Sequence, residues 1–428
     1  MKKLIILTLT LVLVAQVFAG GLVTNSNQSA EYLRTFNRNA STGLDAVYYN
    51  PAAVSGFGSG LHLYISNQTI VQTRTITSEY TGFNTNPFEG STFAPLFPNV
   101  YIAYVMGNLG ISGGLLPIGG GGSAVFEDGL PSFERQIANL GDPNLSSSFK
   151  GYELDVHFEG SSVYLGFQGG LSYYLNDLAS IYVGARYITA TNTYAGYLKD
   201  IYFISKLNDS RIPASSVSAQ LGDIEVETEQ NGSTVLFVVA SNSKIGDKLN
   251  VSLRYETKGA MKVTNNTTID QSGMFPDSAE TGADIPAQFS VGLGYQLSDA
   301  LYVTGTYDMW FDDAVDWDKR ELYVNGSWEG GVAVEYKLSP SLMLSAGILL
   351  ANPNVDDEYN GDLSYSSPTT SVALGGVFNL SERNAISLGL FNTMYDQAQN
   401  IYIGDLFGNG ETYEKTAMGV AFGYSHSF

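Results

Sequence analysis

The connections between extended segments alternate in length along the whole chain, and this rhythm restricts the fold more than any motif does. Period-2 hydrophobic alternation marks strands with two chemically different faces. It predicts fourteen strands: 60–77, 98–107, 109–118, 158–176, 179–200, 220–242, 248–264, 285–297, 300–313, 324–338, 341–352, 368–380, 384–395 and 412–428. Phe289, Val291, Leu293, Tyr295 and Leu297, for example, alternate with Gln288, Ser290, Gly292, Gly294 and Gln296. Long connections fall at 78–97, 119–157, 201–219, 265–284, 314–323, 353–367 and 396–411. Short turns fall near Asn108, 176–177, 243–247, 298–299, 339–340 and 381–383. A soluble sandwich has no reason to keep that order. A transmembrane barrel does, with short periplasmic turns and long outer loops. The expected fold is all-β, a 14-stranded antiparallel transmembrane β-barrel, its last strand pairing with its first so that no edge stays open.

Composition agrees. Charged residues make up 15% of the chain, against about 25% in an average soluble domain. A wall that meets lipid cannot carry charge. The mean hydropathy of −0.00 is then the average of a lipid-facing and a lumen-facing surface. Acids outnumber bases 42 to 21, which excludes a nucleic-acid partner, because displacing counterions from phosphates needs a basic face. The absence of Cys excludes disulfide scaffolds, thiolate metal sites and thiol nucleophiles. Tyr173, Tyr174, Tyr182, Tyr295, Tyr302 and Tyr336 cluster beside short turns, and Trp310, Phe311, Tyr323 and Trp328 flank one long loop. Two such levels predict aromatic girdles.

Three regions follow. Residues 1–19 carry Lys2 and Lys3, an apolar core and Val17-Phe18-Ala19, which together read as a secretory signal peptide. Residues 20–59 do not alternate and contain a short helical stretch near 28–34. About forty residues are too few for a stable domain alone, so an N-terminal hatch inside the lumen is expected. Residues 60–428 form the barrel. In the third strand Pro117 cannot donate to a ladder, and Gly113 and Gly114 permit a bulge. That is either an opening in the wall or a strand running out into a Gly-rich loop. The long connection 119–157 carries Phe126, Leu130 and Phe133, with a short helix expected over 131–140.

Asp45-Ala46-Val47-Tyr48-Tyr49-Asn50-Pro51-Ala52, followed by Gly56 and the first strand, resembles the hatch signature of the FadL/TodX family. These are outer-membrane transporters of long-chain fatty acids and aromatic hydrocarbons in Gram-negative bacteria. Leu115-Leu116-Pro117-Ile118-Gly119 resembles that family's Pro-Phe-Gly segment, with Ile118 in place of the aromatic, and Asp284-Ile285-Pro286-Ala287 is similar to another family stretch. The terminal Phe428 resembles the signal read by the barrel-insertion machinery.

The resemblance implies passive uptake of a hydrophobic small molecule and its sideways release into the membrane. Asn50, Pro51 and Ala52 would hold the hatch, and Gly113, Gly114 and Pro117 would form the lateral opening. Gly20, Leu22 and Val23 would meet the ligand inside, and Phe126, Leu130 and Phe133 would meet it outside. A fatty-acid carboxylate would want a cation, with Arg34, Arg38 and Arg186 available and unranked.

No catalytic residue is expected, since the three histidines, His62, His157 and His426, sit in or beside strands. No cofactor or metal is expected. The acids 312, 313, 316 and 318, and 356–358, do not match a Ca²⁺-loop spacing. They are a solvated acidic surface or a bridge to lipopolysaccharide through divalent cations. The expected state is a monomer in contact with outer-membrane lipid and lipopolysaccharide. The alternative reading is a general diffusion porin for small polar solutes.

Overall fold

The computed structural model describes residues 21–176, 178–218, 221–401 and 410–428. The expected signal peptide, 1–19, and Gly20 lie outside the described residues. Fourteen antiparallel strands close into a barrel. They are β1 (Gly60–Ser78), β2 (in two pieces, Phe88–Ala94 and Asn99–Met106), β3 (Leu109–Phe126), β4 (Phe149–Asn176), β5 (Ala179–Ser205) and β6 (Ile224–Ile245). Next come β7 (Leu249–Glu256 and Lys262–Asp270), β8 (Glu280–Gly282 and Gln288–Ser298), β9 (Leu301–Trp310) and β10 (Trp328–Lys337). β11 (Leu342–Asn352), β12 (Thr369–Ser381), β13 (Asn384–Tyr395) and β14 (Glu411–Ser427) complete the wall. Each strand pairs with the next, and β14 pairs with β1 from His62↔Ser427 to Ser78↔Glu411.

The two faces differ as the sequence pattern requires. On β4 Val163, Phe167, Leu171 and Tyr173 are exposed while Ser162, Tyr164, Gln168 and Ser172 are buried. On β14 Met418, Val420 and Phe422 are exposed while Ala417 and Ala421 are buried. The same band of exposed Leu, Val, Ile and Phe recurs on the other long strands except β9, which exposes Tyr307. A soluble protein rarely exposes an apolar patch beyond a few hundred Å², so this surface belongs in lipid. No helix among the described residues is long and apolar enough to cross a membrane. Tyr173, Tyr295 and Tyr336 face outward as girdle residues should. Tyr182 and Trp310 instead turn inward and are almost fully buried. A Cβ on Gly170 or Gly184 would strike the Tyr182 hydroxyl, so the ring lies over bare glycine backbone.

Several boundaries differ from the sequence reading, and β4 begins at Phe149 instead of 158, inside the expected long connection. β3 continues to Phe126 instead of stopping near 118, so Gly119–Gly122 lie in a strand, not a loop. Phe88–Ala94, read as part of a loop, pairs with β1. The helix expected over 131–140 is α1 of the outer region, Pro131–Gly141.

Residues 21–56 are buried almost throughout. They form two one-turn helices, Ala30–Leu33 and Ala46–Tyr49, and a 3-10 turn, Pro51–Gly56. Their contacts are with inward-facing residues of the wall. A Cβ on Gly347 of β11 would overlap the Thr35 carbonyl, and one on Gly292 of β8 would overlap the Asn39–Ala40 peptide. Gly375 and Gly389 stand as close to Leu33 and Arg34. Bare backbone on β8, β11, β12 and β13 is what makes room for this segment.

Candidate functional site

Among the described residues the wall ladder breaks between β6 and β7, from Asn231↔Thr264 to Val238↔Glu256, and also between β2 and β3. Ladder pairs run from Met106↔Leu109 to Val100↔Leu115, and resume only at Thr92↔Ala124 and Ser91↔Val125. On the β2 side, residues 95–98 include Pro95 and Pro98, which have no N–H to give. They are tied to β1 instead, through Asn67 Nδ2 to the Pro95 carbonyl (3.1 Å) and the Phe97 N–H to Asn67 Oδ1 (2.9 Å). On the β3 side two register shifts fall at Pro117/Gly119 and Gly120/Gly122 in the ladder with β4. Gly120 and Gly122 have φ of +76° and +105°, a region that L residues with a Cβ seldom enter.

The result is an inward bend. Residues 116–121 are all buried, whereas the strand alternates before them. Their backbone groups find partners in the N-terminal segment. Thr24 forms a β-bridge with Gly119, and the Asn25 N–H donates to the Ile118 carbonyl at 2.7 Å. Asn25 Nδ2 donates to the Gly120 carbonyl (2.6 Å), and Gln28 Nε2 to the Pro117 carbonyl (3.0 Å). Buried backbone groups must be satisfied, and here residues 24–28 replace the missing stretch of β2. A Cβ on Gly119 would meet the Val23 carbonyl at 2.6 Å. Of the three residues expected at an opening, Pro117 sits in the bend. Gly113 and Gly114 pair on both sides, with Ile102 and Tyr101 of β2 and with Gly169 and Gln168 of β4. The sequence reading missed Gly119, Gly120 and Gly122, although the glycine run itself was the signal.

Beside the bend lies the lumenal apolar cluster. Leu22 and Val23 belong to it, with Leu116, Ile118, Tyr164, Ile188 and Leu236 among their companions. Gly21 packs on the indole of Trp310. A second apolar cluster caps the outer end. It contains Phe126 and Leu130, both buried, with Phe133 partly buried against Phe158 at 4.9 Å between rings. Ile76, Tyr80, Phe83, Phe88 and Tyr152 share that cluster, so α1 and the loop before β2 pack on one another.

The residues of the Asn-Pro-Ala stretch are all buried. Asn50 closes the Ala46–Tyr49 turn and its Nδ2 donates to the Ser41 carbonyl (2.9 Å) and to Asn242 Oδ1 of β6 (2.8 Å). Pro51 opens the next turn, where an N–H is not needed. Asp45 receives Arg38 bidentately, Nε to Oδ2 at 2.7 Å and Nη2 to Oδ1 at 2.9 Å, and also the Ser41 hydroxyl at 2.6 Å. Tyr48 lies between two guanidinium groups, Arg186 at 4.9 Å and Arg254 at 4.7 Å from its ring centre.

The three arginines considered for a carboxylate ligand are therefore already engaged. Arg34 meets Glu31 and Glu335, Arg38 meets Asp45 and Glu335, and Arg186 meets Glu256 at 2.6 Å. The histidines hydrogen-bond locally, His62 with Ser427 and Gly58, His157 with Glu127, and His426 with Asn384.

No protein-family model matches the chain, and no curated protein is similar to it in sequence. Solved structures are similar in fold. A FadL homologue of Pseudomonas aeruginosa superposes with a TM-score of 0.68 at 12% identity, over 96% of this chain and all of that one. The toluene transporter TodX of Pseudomonas putida gives 0.61 at 13% identity, over 96% and 100%. The toluene transporter TbuX of Ralstonia pickettii gives 0.55 at 14%, over 92% and 99%. The chain thus has the fold of the FadL/TodX outer-membrane channels.

Proposed function

We propose that this protein is an outer-membrane channel for passive uptake of hydrophobic small molecules, long-chain fatty acids or aromatic and aliphatic hydrocarbons. Residues 21–56 act as its hatch, and cargo leaves sideways through the break between β2 and β3. The break beside the lumenal apolar cluster carries this reading. A hydrophobic cargo gains about 0.8 kcal/mol per buried CH₂, so it has little reason to cross a water-filled pore. A path from the outer apolar cluster, past Leu22 and Val23, to a gap facing lipid keeps it out of water throughout. Asn50, Pro51 and Ala52 seat the hatch, and movement of 24–28 away from Gly119 would widen the gap.

Swelling of liposomes that contain the purified protein tests this against a porin. Sugar should enter slowly through the wild type, and rapid entry would establish the porin instead. Deleting residues 20–49 should raise sugar entry and change uptake of a long-chain fatty acid. Unchanged uptake would remove the hatch assignment.

A further inference from the structure

We propose that residues 257–261, between the two pieces of β7, form a door in the wall, through which a hydrophobic compound dissolved in the outer leaflet enters the lumenal apolar cluster from the side. The proposal rests on the hydrophobic-uptake reading and adds a way in that bypasses the outer apolar cluster.

Between Asn231↔Thr264 and Val238↔Glu256, residues 232–237 of β6 face 257–263 without a ladder pair. One contact remains at the edge nearest Glu256. There the Thr257 N–H donates to the Phe237 carbonyl at 2.9 Å, and the Phe237 N–H to Thr257 Oγ1 at 3.0 Å. Antiparallel bonding alternates along a strand, so Val235 turns its N–H and carbonyl to the same side as Phe237. In that register its partner is Gly259. But Gly259 is taken by β8: its N–H donates to the Ile285 carbonyl at 3.0 Å, and its carbonyl accepts the Ile285 N–H at 2.8 Å. The Ala283 N–H donates to the Met261 carbonyl at 2.9 Å. Segment 257–261 is therefore hung on β8 and detached from β6. A Cβ on Gly259 would come within 2.8 Å of Thr234 Cγ2, so the door closes on β6 by contact and not by a ladder. Such a contact can part without stranding further donors in lipid, where an unpaired backbone group is costly.

Both sides of the break are apolar. Outside, Val235, Phe237 and Val239 are exposed, in the band assigned to lipid. Tyr187, opposite Val235, and Tyr255 also face outward, as residues at a membrane interface do. Inside, Leu236, Met261, Val263 and Ile285 belong to the lumenal cluster that also holds Leu22 and Val23. A latch holds the door from its lumenal and outer side. Lys258 Nζ pairs with Asp284 Oδ2 at 3.0 Å and donates to the Ala314 carbonyl at 3.2 Å. Asp284 also accepts the Met261 N–H at 2.8 Å and the Asp316 N–H at 3.1 Å. One buried carboxylate thus ties the door to the loop between β9 and β10.

The test uses the full-length protein in liposomes with two photoprobes. One is a phosphatidylcholine carrying a diazirine in its acyl chain, which stays in the bilayer. The other is a free phenyl diazirine, a small aromatic compound. The lipid probe should label Leu236 and Met261 of the wild type, although both face the lumen. The chain has no Cys, so Thr234→Cys with Gly259→Cys forms a single disulfide across the break. Oxidation should remove the inward labelling and leave that of Phe237 and Val239 unchanged, and reduction should restore it. Asp284→Asn should increase it by loosening the latch. Lipid-probe labelling confined to outward residues of the wild type would overturn the door, as would inward labelling that the disulfide leaves unchanged. Hydrophobic uptake still stands in either case if the free probe labels the lumenal cluster. If the free probe leaves that cluster unlabelled, the uptake reading itself falls, and the door with it.

Discussion

Single ionic contacts decide how firmly the N-terminal segment is seated. The Arg38–Asp45 pair is buried and bidentate, with Asp45 fully enclosed. Removing one partner of such a pair costs about 3–5 kcal/mol, because the other charge is left in a poor solvent. Asp45→Asn should therefore loosen residues 38–50 and raise sugar permeation in the swelling assay, with the barrel still migrating as a folded species on unheated gels. Arg38→Met with Asp45→Leu should leak less than Asp45→Asn alone. A second residue acts outside the wall. Burial pushes the Glu134 carboxyl on α1 up to about 7, helped by Asp128 and opposed by the Tyr152 hydroxyl that donates to it at 3.1 Å. Glu127 and Asp155 line the same small cleft and add only negative charge. Once α1 is released, Glu134 ionises near ~4.3, whereas packed it keeps its proton until about 7. Packing is then firmest in acid, weakens as pH rises between those values, and is constant above them. Amide exchange over 131–141, corrected for intrinsic rate, should be faster at about pH 8 than at about pH 5, and Glu134→Gln should abolish the difference.

At the scale of one strand, the bend in β3 depends on backbone no other residue can replace cheaply. A Cβ on Gly120 would overlap the Ser162 carbonyl of β4, at a φ that itself disfavours a side chain. Gly120→Val should shift β3 out of its bend and cut uptake of a labelled long-chain fatty acid several-fold, while sugar permeation stays low. Unchanged uptake would mean the bend is not the exit. The same strand marks where sequence reading stops. Strands such as β8 and β14 were legible because lipid on one side and a lumen on the other impose strict alternation. Gly119–Gly122 carry no side chains to alternate, so a strand that bends inward looks like a loop. Phe88–Ala94 does alternate, but it is short and Pro95 and Pro98 separate it from the rest of β2. Buried partners were beyond reach for another reason. Arg38 meets Glu335 across 297 positions of sequence, and Arg74 meets Lys415 only because β14 closes on β1. Such contacts depend on barrel closure and register, and a one-residue slip would turn each of them to the other face.

Across the whole molecule, wall and filling are matched in shape. Gly347 and Gly292 touch the backbone of residues 35–40 directly. A side chain there cannot be relieved by rotating a neighbour. Gly347→Val should displace the segment and raise sugar permeation, yet leave the strands paired, since nothing on the outer face changes. The closure between β1 and β14 has a consequence in time. The cylinder stays unsealed until its last strand is made, while the segment that fills it precedes its first strand. Contents must therefore wait for their container, and the seam is what locks them in. A chain cut before Glu411 should leave residues 21–56 open to protease, and adding 411–428 back as a separate peptide should restore their protection.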